Sequence, residues 1–178
     1  MSSESEVRSI AVLDIDGVIA DVRHRLHHLA RKPKDWDGFF SHMVDDPLLP
    51  EGLALAESFA ADGHDIVYVT GRPVEYRDLT LSWLRAHALP TGDLIMRSRG
   101  DRRPGAVFKT EVVRELQQTG EVVAIVDDDP AVVAALRSHA LPVRQVTWFG
   151  LPDHGADPAA DEAAHQLLID AQEEDGAT

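Results

Sequence analysis

The stretch Ile10-Ala11-Val12-Leu13-Asp14-Ile15-Asp16-Gly17-Val18 decides the fold. Its first four residues are an apolar run of strand length, closed by a glycine. Two carboxylates one residue apart therefore fall where a strand ends, and Gly17 lets the backbone turn there. In open α/β sheets, ligands bind beyond the carboxyl ends of strands. Two acids in such a place repel each other unless a cation or a shared proton relieves them. A divalent metal is the simplest relief. Taken alone, Asp14 and Asp16 could equally cap a turn, since Asp favours turns.

Three more places along the chain carry matching chemistry. Ile66-Val67-Tyr68-Val69 runs into Thr70-Gly71-Arg72, and Val122-Val123-Ala124-Ile125-Val126 runs into Asp127-Asp128-Asp129-Pro130. Between them in chain order lies Lys109. Strands are expected near Ser9–Asp14, Asp65–Thr70, Leu94–Met96, Val122–Val126 and Val143–Val146. Helical patterns begin at Pro50, near Tyr76, at Lys109, at Pro130 and at Pro158, with Asp129 as an N-cap. Alternation of this kind predicts a parallel α/β sheet in a Rossmann-like three-layer sandwich. Right-handed crossovers then bring the strand ends to one rim, so Asp14, Thr70, Lys109 and Asp127–Asp129 can meet. Residues 21–48 interrupt the alternation. Val22, Leu26 and Leu29, then Trp36, Phe39, Phe40 and Met43 behind Asp35, predict two short helices forming a small cap over the first strand end.

The 178 residues suit a single domain with a substantial core. No apolar run is long enough to span a bilayer, and the polar start Met1-Ser2-Ser3-Glu4-Ser5-Glu6 does not read as a signal peptide. Residues 1–7 read as disordered. There is no cysteine, which excludes disulfides and thiolate catalysis and fits a cytoplasmic location. Net charge is −14, but eight of the 31 acids lie in residues 151–178, which hold no Lys or Arg. That leaves 23 acids against 17 bases, a charge of −6, over residues 1–150. Such a balance argues against broad binding to long nucleic acid and leaves room for a local basic groove. Arg97, Arg99, Arg102, Arg103 and Lys109 fall within thirteen residues, opposed by Asp101, and guanidinium forks suit phosphate oxygens.

The residue types permit one coherent chemistry. Asp14 can attack phosphorus to form an aspartyl-phosphate, and Asp16 can protonate the leaving oxygen and later activate water. Mg²⁺ is the expected metal, held by Asp14, the Asp16 carbonyl and Asp127 or Asp128. Thr70 and Lys109 would meet the phosphoryl oxygens, with Gly71 allowing close approach. His24, His27 and His28 share one helical face, a spacing open to zinc but read as cap surface.

Asp14-Ile15-Asp16-Gly17-Val18, Thr70, Lys109 and Asp127-Asp128 resemble the four motifs of the haloacid dehalogenase superfamily of phosphohydrolases. The resemblance covers residues 9–150. It implies sheet order 3-2-1-4-5, Mg²⁺-dependent phosphoryl transfer through an aspartyl intermediate and a cap after the first motif. A narrower resemblance is to the 3′-phosphatase domains of phage polynucleotide kinase–phosphatase. It rests on Thr70-Gly71-Arg72, on Arg97 to Lys109 with Gly100-Asp101 and Arg103 inside, and on Ala124 to Asp128. It implies that Arg72, Arg97 and Arg25 serve the substrate phosphate. The sequence departs from that family at Gly105, where an acid is usual, and contains no P-loop. Two other readings stay open: a phosphatase for nucleotides or small metabolites, and a non-catalytic binding protein on the same fold. The acidic stretch Glu173–Thr178 is expected to be dispensable.

Overall fold

A computed structural model describes residues 7–148 and 158–175; the expected disorder of residues 1–7 falls almost wholly outside them. The central sheet contains β1 (Ser9–Leu13), β2 (Asp65–Pro73), β3 (Gly92–Arg97), β4 (Glu121–Asp127) and β5 (Val143–Gln145). Their order is β3-β2-β1-β4-β5 and all pairings are parallel, as expected.

β1 lies at the centre and is buried on both faces from Ile10 to Leu13, in keeping with a continuous apolar run there. Ala11 and Leu13 point to one layer, with Ile66, Tyr68, Trp83 and Leu84. That layer holds α2 (Pro50–Ala61) and α3 (Arg77–Ala86). Ile10 and Val12 point to the other, with Val67, Val69, Phe108, Val113 and Leu136. It holds α4 (Gly105–Leu116) and α5 (Pro130–Ser138). α4 begins a turn earlier than the apolar pattern indicates, at Gly105 directly after Pro104, and so places Lys109 in its second turn. Leu13 pairs with Tyr68 on one side and Val126 on the other, so the ends of β1 and β4 are level and β2 passes beside them before running on to Pro73. This register places Asp14, Thr70 and Asp127 on one rim.

The 21–48 insertion folds as a 3₁₀ helix (Arg23–His28), α1 (Trp36–Ser41) and a second 3₁₀ helix (His42–Asp45). Asp35 caps α1, accepting from the Gly38 N–H at 2.8 Å. Val22, Leu26, Leu29, Phe39, Phe40 and Met43 form a small core of their own. The last helix, α6 (Pro158–Asp175), docks into that core through Leu168 and Ala171. α6 therefore belongs to the cap side of the molecule. Among the described residues no helix is long and apolar enough to cross a membrane.

Candidate active site

Gly17 fixes the first corner of the site. Its φ of +80° is strained for any side chain, and a Cβ there would lie 2.1 Å from Asp128 Oδ2. The glycine thus lets the β1 turn and the β4 end press together. Asp14, Asp127 and Asp128 are buried, and each offers a carboxylate oxygen within 4.8 Å of the others'. Lys109 reaches in from α4, 3.0 Å from Asp14 Oδ2 and 2.7 Å from Asp127 Oδ2. Burial alone would lower the Lys109 ammonium, but Asp127 and Asp14 outweigh it and keep it charged.

One cation does not balance three acids. Burial pushes the Asp14 carboxyl up, with Asp127 and Asp16 adding to the rise against the pull of Lys109. Burial likewise raises Asp127 and Asp128. A surplus of buried oxygen donors suits a hard dication such as Mg²⁺, so the residues present fit that metal. Asp127 already engages both oxygens: Oδ2 accepts from Lys109 and Oδ1 from the Asp129 N–H at 3.1 Å. Asp128 engages one, Oδ2, among the described residues. Asp129 serves α5 as its N-cap, accepting from Ala131 and Val132.

Asp16 lies in a different environment. Arg72 donates to it from Nε at 3.0 Å and Nη2 at 2.5 Å, and Arg25 Nη2 at 2.8 Å. Burial would raise its carboxyl, yet Arg72 and Arg25 outweigh that and hold it down at about 2. Both guanidiniums also contact Asp46, a buried carboxylate of the insertion. His24 Nε2 touches the same group at 2.8 Å. Two adjacent aspartates thus have opposite electrostatic settings, one raised and one lowered. Thr70 is fully buried at the end of β2, and its hydroxyl accepts from the Arg72 N–H at 3.2 Å.

The predicted basic stretch divides. Lys109 enters the acid cluster, while Arg99 pairs with Glu75, and Arg103 with Asp101 and Glu111. Arg97 is buried over the Phe108 ring, 5.0 Å from its centre, with Nη1 on the Arg103 carbonyl. Arg97 and Arg102 line a groove of about 700 Å³ with Lys32, Trp36, Phe40 and Tyr76. The three histidines differ in their polar partners, although the His27 and His28 rings lie 4.1 Å apart. His28 is buried against Asp35, His24 meets Asp46, and His27 is exposed. Among the described residues they do not form a metal-spaced group.

Three residues of this region went unremarked in the sequence: Asp46, His165 and Gln172. His165 Nε2 stands 2.9 Å from Asp128 Oδ2, and Gln172 lines the pocket shared by Asp14, Asp16, Thr70 and Lys109. A histidine beside the Ala164, Leu167, Leu168 stripe of an otherwise acidic helix was the available signal.

Sheet order and acids at the strand ends define a haloacid dehalogenase-like hydrolase. More narrowly, residues 8–148 match the polynucleotide kinase PNKP phosphatase domain family. The chain belongs to that family and is a phosphatase. Its fold matches a chain of the Pnkp1/Rnl/Hen1 RNA repair complex with a TM-score of 0.67 at 24% identity, covering 82% of this chain and 44% of that one. The class C acid phosphatase from Bacillus anthracis, with tungstate bound, matches at TM-score 0.62 and 16% identity, covering 92% of this chain and 80% of that one. A predicted phosphatase from Clostridium acetobutylicum matches at 0.54 and 13%, covering 92% and 99%. This chain spans under half the length of the chains it matches in the Pnkp1/Rnl/Hen1 complexes. No curated protein matches the sequence.

Proposed function

We propose that this chain is a Mg²⁺-dependent phosphomonoesterase working through an aspartyl-phosphate, with a nucleic-acid 3′ end as its substrate. The observation that carries the reading is the buried Asp14–Asp127–Asp128 cluster with Lys109 between its members. Asp14, the Asp16 carbonyl and Asp128 hold the metal; Asp127, with both oxygens engaged, orients Lys109 and the loop. Bound there, Mg²⁺ would offset carboxylate repulsion and let an anionic nucleophile approach an anionic phosphate.

The residues then divide the work. A carboxylate oxygen of Asp14 attacks phosphorus, and the bond to the leaving oxygen breaks as Asp16 supplies its proton. Asp16 next takes a proton from water, whose oxygen attacks the phosphorus of the acyl-phosphate and releases inorganic phosphate and Asp14. Asp16 is held ionised by Arg72 and Arg25, so a phosphate that competes for those guanidiniums frees it to accept a proton. Lys109, Thr70 and the Gly71 backbone face the phosphoryl oxygens, and Arg97 lines the groove.

A polynucleotide 3′ phosphate is favoured over a small metabolite by the groove beside Arg97. Lys32, Lys34, Arg97 and Arg102 line it with Trp36 and Tyr76, against the acids Asp37, Glu75 and Asp101, and cations beside aromatic rings suit a strand's phosphates and bases. In this reading the described residues act as one cytoplasmic domain with a small cap. The test is release of inorganic phosphate from a 3′-phosphorylated oligonucleotide. Turnover with Mg²⁺, none in chelator and little from the 5′-phosphorylated isomer is the expected result. Hydrolysis indifferent to chelation, or equal on both isomers, would overturn it.

A further inference from the structure

We infer that α6 completes the catalytic centre, and that His165 is the positioning residue for the metal-holding carboxylate of Asp128. The inference rests on the metal reading above. Four observations support it. The family match ends at residue 148, so α6 lies beyond it. Leu168 and Ala171 are buried in the insertion's core, with Ala164 and Leu167 packed beside them, so α6 is anchored. His165, Leu168 and Gln172 are spaced i, i+3, i+7 and share the face this anchor turns inward. On that face, His165 Nε2 lies 2.9 Å from Asp128 Oδ2, and Gln172 borders the pocket of Asp14, Asp16 and Lys109.

An ionised carboxylate only accepts hydrogen bonds, so Nε2 carries the proton and donates it to Oδ2. This fixes the rotation of the carboxylate and leaves Oδ1 for the metal. Asp127 is set by two donors from its own neighbourhood, Lys109 and the Asp129 N–H. Asp128 has His165 as its donor among the described residues, so its aim depends on a helix far away in sequence. Outer partners of this kind commonly contribute about 10–100-fold in metal affinity. The pocket beneath is narrow, about 10 Å³, so the opposite role, a helix that blocks the metal and substrate, makes the reverse forecast.

The test uses the full chain stripped of metal. Mn²⁺ binding is read by electron paramagnetic resonance, and aryl phosphate hydrolysis is titrated with Mg²⁺. His165→Ala should weaken Mn²⁺ binding about 10–100-fold and shift the Mg²⁺ midpoint equally. At saturating metal, kcat should stay within a few fold of the parent. His165→Gln keeps an N–H donor at similar reach and should restore most of the affinity. Gln166→Ala, on the exposed face of the same helix, should change nothing. Unchanged affinity in His165→Ala, no rescue by His165→Gln, or tighter metal and faster turnover in His165→Ala each overturn the inference. Failure of the parent protein itself to bind Mn²⁺ or hydrolyse phosphate would instead overturn the proposed function.

Discussion

Asp46 and Asp16 share the same two guanidiniums. Arg25 donates to Asp46 at 2.7 Å and to Asp16 at 2.8 Å, and Arg72 donates to Asp16 at 2.5 Å and to Asp46 at 3.0 Å. Arg25, Arg72 and Asp46 are all essentially without solvent contact. The insertion is thereby joined electrostatically to the catalytic turn. Removing Asp46 leaves two buried cations on one carboxylate. Breaking a buried pair costs about 3–5 kcal/mol. Asp46→Ala should therefore lower the melting temperature by roughly 6–20 °C, on the basis of about 2–4 °C per kcal/mol for a chain of this size. An exposed control, Asp45→Ala, should shift it little. A melting curve of Asp46→Ala that overlays the parent would show the network to be energetically idle.

The nucleophile assignment separates from the acid–base assignment by substitution. Asp14→Asn should abolish turnover, since an amide cannot form the phospho-enzyme. Asp16→Asn should slow both half-reactions and leave a phospho-enzyme visible by intact mass after acid quench when the leaving group is a good one. Near-parental rates for Asp14→Asn, in a preparation free of contaminating phosphatase, would remove Asp14 from its role.

The strand-end motifs made the fold legible, because a carboxylate, a threonine and an acid pair each follow an apolar run of strand length. Parallel pairing in register then does the rest. The insertion was legible as an apolar pattern but not as geometry. A 3₁₀ helix has three residues per turn, so His27 lies over His24 while His28 rotates inward to Asp35. An α-helical spacing rule groups all three. The pairing of the basic stretch was only partly legible: Asp101 and Glu111, which pair with Arg103, lie within or just past it, but Glu75, which pairs with Arg99, comes from another part of the chain. Asp46 sits in Asp45-Asp46-Pro47 with no motif around it. What betrays it is a charge count, two buried arginines facing the single carboxylate of Asp16, and that count needs the fold first.

The acid cluster makes stability depend on pH and metal together. Asp14 is pushed up to about 7 and Asp127 to about 6, in both cases chiefly by burial. A folded-state value above the unfolded one means that the folded protein holds the proton more tightly. That stabilisation is full below the unfolded value near 4 and is lost as pH rises through about 7. Asp16 is held down at about 2, so its contribution persists across this window. The metal-free protein should therefore lose melting temperature between pH 5 and 8. Added Mg²⁺, which binds the ionised carboxylates, should raise it more at pH 8 than at pH 5. The check is a set of melting curves in chelator and in Mg²⁺ across that range. Equal Mg²⁺ increments at both ends would contradict the raised carboxyls.

The groove offers a test of the proposed substrate. Arg102 and Lys32 are exposed on its wall, and Trp36 and Tyr76 line it on either side of the buried Phe40 ring. None of these residues lies in the pocket of the reacting acids. On the proposed reading, a strand whose 3′ end reached Asp14 would meet the groove with nucleotides other than the one being cleaved. Binding energy gained there can raise the rate on long substrates without touching small ones. A 3′-phosphorylated oligonucleotide should have a higher kcat/KM than a 3′-mononucleotide, and the advantage should shrink as salt rises. Arg102→Ala should reduce oligonucleotide use and lower the salt slope by about one unit, leaving aryl phosphate hydrolysis intact. Arg72→Ala should impair both substrates, because Arg72 contacts Asp16 itself. Steady-state kinetics at several salt concentrations make the comparison. Equal efficiency on oligonucleotide and mononucleotide, with no salt dependence, would move the assignment to a small-molecule phosphatase.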